Sequence, residues 1–291
     1  MMHDKVILGC GYLGQRLARQ YLAQGETVTG VVRTVESAGA LRAAGIEALQ
    51  LDLDQPLDGL PSLAGCELFY FAPPPRSGVE ERRVERFLAA LDGARPPRRM
   101  LYLSTTGVYG DCGGEWVDET RPVAPVAERA LRRFDGEQRF RTWCSDHGCE
   151  LVILRVAGIY GPGKLPLARL RRGEPMVPES EAPYTNRIHV DDLVQVCMAA
   201  MQRGGDGEIY NVSDGTPGNM ADYFNRVADW AGLPRPPLVS LAASGDNLSA
   251  GMRSYLQESR RLDSSKMRRE LGVVLRYPDL ASGLQGCVEA S

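Results

Sequence analysis

The residues with the plainest chemical purpose stand near the start of the chain. The run "LGCGYLG" sets Gly9, Gly11 and Gly14 in G-x-G-x-x-G spacing, after a short apolar run and at the opening of a helical pattern. That spacing serves a pyrophosphate. Gly9 permits a tight turn, Gly11 lets the backbone approach the phosphates, and Gly14 lets helix and strand pack closely. The helix start, at Tyr12 and Leu13, then offers backbone N–H groups to the anion. Arg33 follows at the end of the next apolar run, nineteen positions after Gly14. An acidic residue there bonds the ribose hydroxyls of NAD, whereas arginine accommodates the 2′-phosphate of NADP. The expected cofactor is therefore NADP, with NAD the alternative if Arg33 is a solvated surface residue and Glu36 or another group takes the ribose.

Proton chemistry is harder to place. In enzymes built on such a loop, a later helix often delivers the catalytic acid, and here the stretch "VAERALRRFDGE", Val126 to Glu137, offers arginines. A guanidinium holds its proton near neutral pH, so it can stabilise an oxyanion but cannot act as donor or acceptor in turnover. Cys10 lies inside the glycine loop and Cys112 in a glycine-rich loop. Neither has the paired histidine context that thiol activation needs.

The elements that must position these residues alternate. "KVILG" precedes a helix in which Leu13, Leu17, Tyr21 and Leu22 recur at helical spacing. Then come "TVTGVVR", a helix over 38–44, "IEALQLD", "CELFYFA", a helix over 79–91, "RRMLYLSTT", the arginine-bearing helix and "CELVILRVAGIYG". Strands alternating with helices predict an α/β fold, a doubly wound parallel sheet. Strands buried on both faces account for the near-continuous apolar runs "LFYF" and "LVIL". Beyond Tyr160 the chain turns rich in proline and charge, and 234–259 is its longest irregular stretch, expected to be functional or mobile. The expected division is a nucleotide-binding Rossmann domain of 1–160 plus 187–212, and a smaller C-terminal substrate-binding part of 161–186 plus 213–291.

Composition narrows the partners. The 291 residues are 43% hydrophobic and carry 34 basic against 37 acidic side chains, intermixed, for a net charge of −3. No basic block or aromatic–basic stripe suggests a nucleic-acid groove. Seven dispersed cysteines without a CxxC pair, and three histidines, read as reduced thiols with no metal site. No leader pattern and no apolar run of the ~20 residues that span a bilayer is present, so a cytoplasmic protein without membrane contact is expected. Arginine far outnumbers lysine, which occurs only at Lys5, Lys164 and Lys266.

With "LYLSTTGVYGDCGG", "LRVAGIYGPG", "NRIHVDDL", "IYNVSDG" and "SSKMRRELG", the chain resembles the extended short-chain dehydrogenase/reductase family over nearly its whole length. The family's nucleotide-sugar epimerases and dehydratases are included in that resemblance. The G-x-G-x-x-G opening, where usual members have TGxxGxxG, and "GVYGDCGGEWVDET" are similar to an atypical YeeZ-like subgroup. The resemblance implies that Asp52 and Leu53 contact adenine and that Ala72 and Pro73 lie beside the cofactor ribose. It implies Thr105 as the hydroxyl that bonds the substrate oxygen, with Thr106 and Tyr109 near it. Tyr160, with Gly161 and Pro162, falls where the nicotinamide side is closed, and Asn186, Arg187 and His189 fall toward substrate. In the family's nucleotide-sugar enzymes late arginines often bind the substrate diphosphate; Arg260 and Arg261 are the candidates here, whereas Lys266 to Glu270 reads as the solvated face of a terminal helix. Asp191 and Asp192 read more simply as acidic residues at a helix N-terminus.

The family pattern P-x-S-x-Y-x-x-x-K, followed four residues later by glutamate, aligns on Pro125 and Glu137. It puts Arg129 at the tyrosine and Arg133 at the lysine. Arg133 can keep the lysine's charge and its contacts to the cofactor ribose; Arg129 cannot replace a phenol. Tyr109, Tyr160, Tyr184 and His189 are the substitute proton donors, although packing explains each of them as well. Two readings follow. One is an NAD(P)-dependent oxidoreductase or epimerase/dehydratase-like enzyme with an atypical active site, acting on a sugar or other carbonyl compound. The other is a non-catalytic NADP(H)-binding sensor or partner-binding protein. The resemblance also implies a homodimer paired through the helix over 126–147.

Overall fold

A computed structural model describes residues 4–57, 59–243 and 256–287. Its centre is a seven-stranded parallel sheet of β1 (Lys5–Leu8), β2 (Val28–Val32), β3 (Glu47–Gln50), β4 (Glu67–Tyr70), β5 (Arg99–Thr105), β7 (Glu150–Val156) and β11 (Ile209–Val212). Across the sheet the order is β3-β2-β1-β4-β5-β7-β11, so the direction of winding reverses between β1 and β4. In open sheets of this kind ligands bind at that reversal, beyond the strands' carboxyl ends.

Alternation along the strands divides the core into two layers. Ile7, Phe69, Leu101, Val152 and Leu154 face α1 (Tyr12–Ala23), α2 (Val35–Ala43) and α6 (Val190–Arg203). Val6, Leu8, Leu68, Tyr70, Met100 and Ile153 face α3 (Arg82–Ala89) and α4 (Glu128–His147). Both layers are apolar, as a sheet covered on each face requires. Thr34 starts α2 by accepting the Ser37 N–H at 3.2 Å, three residues earlier than the periodicity suggests. Helix α4 stops at Gly148, whose φ of 66° is the left-handed turn that favours glycine.

Short paired segments rise past the sheet's carboxyl edge. They are β8 (Gly158–Tyr160) with β10 (Arg187–His189), β9 (Tyr184–Thr185) with β12 (Gly218–Asn219), and β6 (Trp116–Val117) with β13 (Arg261–Leu262). A separate apolar cluster joins α5 (Leu167–Arg171), α7 (Met220–Ala231) and α9 (Leu280–Gln285) through Leu170, Tyr223, Phe224, Val227 and Leu284. Between them α8 (Ser265–Leu271) packs differently: Met267, Leu271, Val273 and Leu275 enter the sheet's own core. The stretch expected to be irregular from Pro234 to Ser259 holds a 3-10 turn at Leu241–Ala243; its residues 244–255, and any interface on them, lie outside the described residues. Among the described residues no helix is long and apolar enough to cross a membrane.

Candidate functional site

The glycine loop stands at the reversal point. Gly9 adopts φ 87°, and a Cβ there would lie 2.5 Å from the Ala72 nitrogen, so only glycine lets the loop after β1 touch the end of β4. A Cβ on Gly14 would meet Ile7 Cγ2 at 2.9 Å, which is the close helix–strand packing expected of the third glycine. A Cβ on Gly11 would meet only the Gly9 carbonyl oxygen, at 4.0 Å, so this face of the loop is open to a ligand. The first helical hydrogen bond runs from Gln15 N–H to the Gly11 carbonyl, and no side chain caps α1. The N–H groups of Tyr12, Leu13 and Gly14 therefore point at that open space, as an anion requires. Leu13 contributes only backbone, because its side chain lies in the core. Tyr12 folds over the loop and donates to the Pro162 carbonyl at 2.9 Å, closing the 161–163 turn against it.

The expected adenine and ribose residues form one tied surface. Arg83 on α3 holds the Asp54 carboxylate and donates to the Pro73 carbonyl at 2.9 Å. Arg86 donates to the Leu53 carbonyl at 3.3 Å. The Arg83 guanidinium, with Arg86 and Arg33 further off, holds the Asp54 carboxyl below its usual range. Arg33 is exposed at the end of β2, and half-buried Asp52 accepts the Asp54 N–H at 3.0 Å in a local turn.

A cleft of about 660 Å³ opens beside the ends of β5 and β7. Thr105 and Thr106 line it, and Thr105 Oγ1 accepts the Gly107 N–H at 3.2 Å, which leaves its own proton to donate. Arg133 enters from α4, donates to the Ala72 carbonyl at 3.2 Å and lies over the Tyr102 ring at 5.7 Å. It thereby joins the helix expected to hold the cofactor ribose to the loop expected beside it. Arg129 lines the cleft 3.9 Å from Glu258, which Arg260 holds at 2.7 Å. With Lys164, Arg169 and Arg187 the lining is strongly cationic, and Glu258 is its one carboxylate among the described residues.

Several expected residues lie elsewhere. Tyr109 is buried, donates to Asn211 Oδ1 at 2.8 Å and lies outside the cleft lining. His189 is fully buried; its Nδ1 accepts the Asp191 N–H at 3.2 Å and so caps α6, while burial pushes its pKa down. The helix start read from Asp191 and Asp192 is thus capped by His189. Asp192 instead accepts the Arg276 and Tyr277 N–H groups, clasping the C-terminal segment. Tyr160 borders the cleft but turns its hydroxyl to the Asp279 carbonyl. Arg261 donates to the Gly114 carbonyl and lies against Trp116 and Tyr184, outside the lining that Arg260 joins. Asn186 lines the cleft and pins β13 through the Arg260 carbonyl and the Leu262 N–H. All seven cysteines are buried and free, and burial pushes the Cys10 thiol up to about 12. Among the described residues no His, Cys, Asp and Glu group is built to hold a metal.

A polar floor under this cleft went almost wholly unsignalled along the chain. Glu137, with no exposure, receives two bonds from Arg155, at 3.1 and 2.8 Å, and one from Ser104 at 2.5 Å. The Arg155 guanidinium in turn lies over the Tyr109 ring at 4.9 Å. Only the glutamate of the aligned pattern hinted at it.

Comparison with known proteins agrees with this architecture. The family model "NAD dependent epimerase/dehydratase family" matches residues 80–213. Protein YeeZ of Escherichia coli K12 is 29% identical over 96% of this chain and 97% of its own. A solved structure of a functionally unknown conserved protein from Silicibacter pomeroyi is 34% identical, covers 97% of this chain and 96% of its own, and has a TM-score of 0.81. A UDP-glucuronic acid 4-epimerase from Bacillus cereus, solved with UDP-glucuronic acid and NAD, shares the fold at a TM-score of 0.76 and 17% identity, with 97% of each chain covered. The chain belongs to the NAD dependent epimerase/dehydratase family of short-chain dehydrogenase/reductase proteins and is a YeeZ-like member of it.

Proposed function

We propose that this protein binds NADP(H) and reduces or oxidises a small carbonyl or hydroxy compound in an atypical active site that lacks the Tyr-x-x-x-Lys pair. One observation carries the reading. The glycine loop's open face and the Thr105–Arg133 wall belong to one region of the fold, with Ala72 touching both the loop and Arg133. The nicotinamide cofactor supplies hydride transfer when bound. The chain's own residues do the rest. Backbone N–H groups at Tyr12 to Gly14 receive the diphosphate, and Arg33 receives the 2′-phosphate. Arg133 takes the place of the ribose-holding lysine. Thr105 donates to the substrate oxygen, and Arg129 polarises it without giving up a proton. Tyr109, Tyr160 and His189 are committed to packing and capping bonds, so the proton passes between the substrate oxygen and either solvent or Tyr184, which lines the cleft and is exposed: to the oxygen in reduction, from it in oxidation. Residues 161–186 and 213–291 are the proposed substrate-binding part, and the helix over 126–147, which begins at Glu128, is the proposed dimer contact.

Parallel titration of NADPH and NADH into wild type and Arg33→Ala tests the cofactor half. Arg33→Ala is expected to weaken NADPH about tenfold, roughly 1.4 kcal/mol, and to leave NADH nearly unchanged. Equal losses for both nucleotides count against the assignment of Arg33. Tight NADPH binding with no turnover across a panel of aldehydes, ketones and nucleotide sugars supports the sensor reading instead, which the arginine at position 129 favours. No binding of either nucleotide ends both readings.

A further inference from the structure

The cleft contains a cation that the described residues leave without a counter-ion. Arg187 opens β10 and is 8% exposed. Its guanidinium lies 4.1 Å from the centre of the Tyr223 ring. It makes one ordinary hydrogen bond, from Nη2 to the Asn219 carbonyl at 3.3 Å, and a distant contact to Met220 Sδ. A guanidinium has five N–H donors in a fixed fork. Among the described residues no carboxylate comes within 4 Å of this one. Asp222 is taken by Arg226 at 2.7 Å, and Asp214 accepts the Thr216 N–H at 2.9 Å. Burial accordingly pushes Arg187 below the usual guanidinium range, with Tyr223, Asp214 and Asp222 offsetting only part of that.

Leaving a buried charge uncompensated costs several kcal/mol, and folded proteins avoid it unless something arrives to pair it. The guanidinium borders the cleft, next to Tyr223, Phe224 and Met220, so an arriving group can reach it. The fork matches the two oxygens of a carboxylate or of a phosphoryl group. Lys164, over the Tyr12 ring at 5.2 Å, and Arg169 add positive charge to the same cleft. We infer that Arg187 is the recognition point for an oxyanion, carboxylate or phosphate, carried by the substrate, which makes the substrate an anionic carbonyl or hydroxy compound. The inference takes from the proposed function only that the occupant is the substrate; the oxyanion site itself stands on Arg187.

The test uses the full-length protein without nucleotide, in chloride buffer at constant ionic strength, with inorganic phosphate and malonate as probes. Binding is read by calorimetry and melting temperature for wild type, Arg187→Lys and Arg187→Met. Wild type is expected to bind at least one probe, and Arg187→Met to lose at least tenfold in affinity. Arg187→Lys keeps the charge without the fork and should fall between. Arg187→Met is also expected to melt at or above the wild-type temperature when no anion is present, since it removes an unpaired buried charge. Phosphate binding alone identifies a phosphoryl substrate, malonate alone a carboxylate, and either supports the site. Equal stabilisation of wild type and Arg187→Met by both probes, or none of either, overturns it. NADPH titration of the same samples reads the cofactor separately, so phosphate binding without nucleotide binding removes the proposed function and leaves the oxyanion site.

Discussion

Two arginines are buried, one on the central sheet and one on the short pair beyond its carboxyl edge, and the molecule treats them in opposite ways. Arg155, 4% exposed, gives both ends of its fork to Glu137 and lies over Tyr109, forming part of the floor beneath the cleft. Arg187, 8% exposed, has one carbonyl and an aromatic ring. Desolvation costs both of them heavily, but only Arg155 recovers the cost inside the chain. A charge with all its partners belongs to the framework. A charge buried without them marks a place where a ligand completes the structure. Glu81 is a buried carboxyl outside the cleft: it has no exposure, and its carboxylate oxygens close no hydrogen bond of normal geometry, so burial raises its pKa to about 7 even with Arg133 nearby.

The most damaging way to test the contrast is to strip the framework pair. Glu137→Gln leaves Arg155 buried without its counter-charge and is expected to cost about 3–5 kcal/mol in urea denaturation. A loss within the ordinary range of surface substitutions, roughly ±0.5 kcal/mol, would show that the floor is not held by charge.

Glu81 gives the next effect. Its folded pKa lies above the ordinary 4.5, so between about 4.5 and about 7 the folded state holds the extra proton. Its contribution to stability therefore falls as pH rises through that window and is level above it. The full span is roughly 3 kcal/mol at most. Asp214, raised to about 7 by burial, slopes the same way, so the comparison must be between proteins. Glu81→Gln should be the more stable protein at pH 7.5, with the advantage gone at pH 4.5. Parallel slopes for the two would remove Glu81 from the set of unpaired charges.

Tyr109→Phe sharpens the contrast with the smallest change. It deletes the bond to Asn211 and is expected to cost about 1 kcal/mol of stability. NADPH affinity, and turnover on any carbonyl found by screening, should stay within about twofold of wild type. A collapse of kcat with stability intact would return Tyr109 to the chemistry.

The parallel sheet could be read from the chain because each strand's apolar run is short, local and bounded by turn residues. The helix over 126–147 appears as Glu128–His147 because Gly148 ends it and the proline-rich approach to Val126 stays extended. The cofactor loop was readable for the same local reason. Thr105, Thr106, Arg129, Arg133, Asn186 and Arg187, legible as candidates from the chain, line the cleft together with Lys164, Arg169 and Glu258, which were not. Those three sit on segments with no periodic signature, and they reach the cleft only through the packing of the smaller cluster. His189 illustrates the opposite error. Its residue type suggests chemistry, but its place at the junction of β10 and α6 makes it a cap.

What the sequence determined by itself is whatever a few neighbouring residues settle: strand alternation, the helix ends, the glycine turn, and the absence of a phenol and an amine from the start of α4. Tertiary structure alone decided which charged side chains are satisfied. Arg155 and Arg187 are the same residue type, each next to an apolar run, and nothing in their neighbourhoods along the chain separates them. Their difference lies in Glu137, which α4 brings under β7, and in the lack, among the described residues, of any such group paired with Arg187. Counter-charges come from elements distant in sequence, so the distinction between framework and binding site arises only when the layers close.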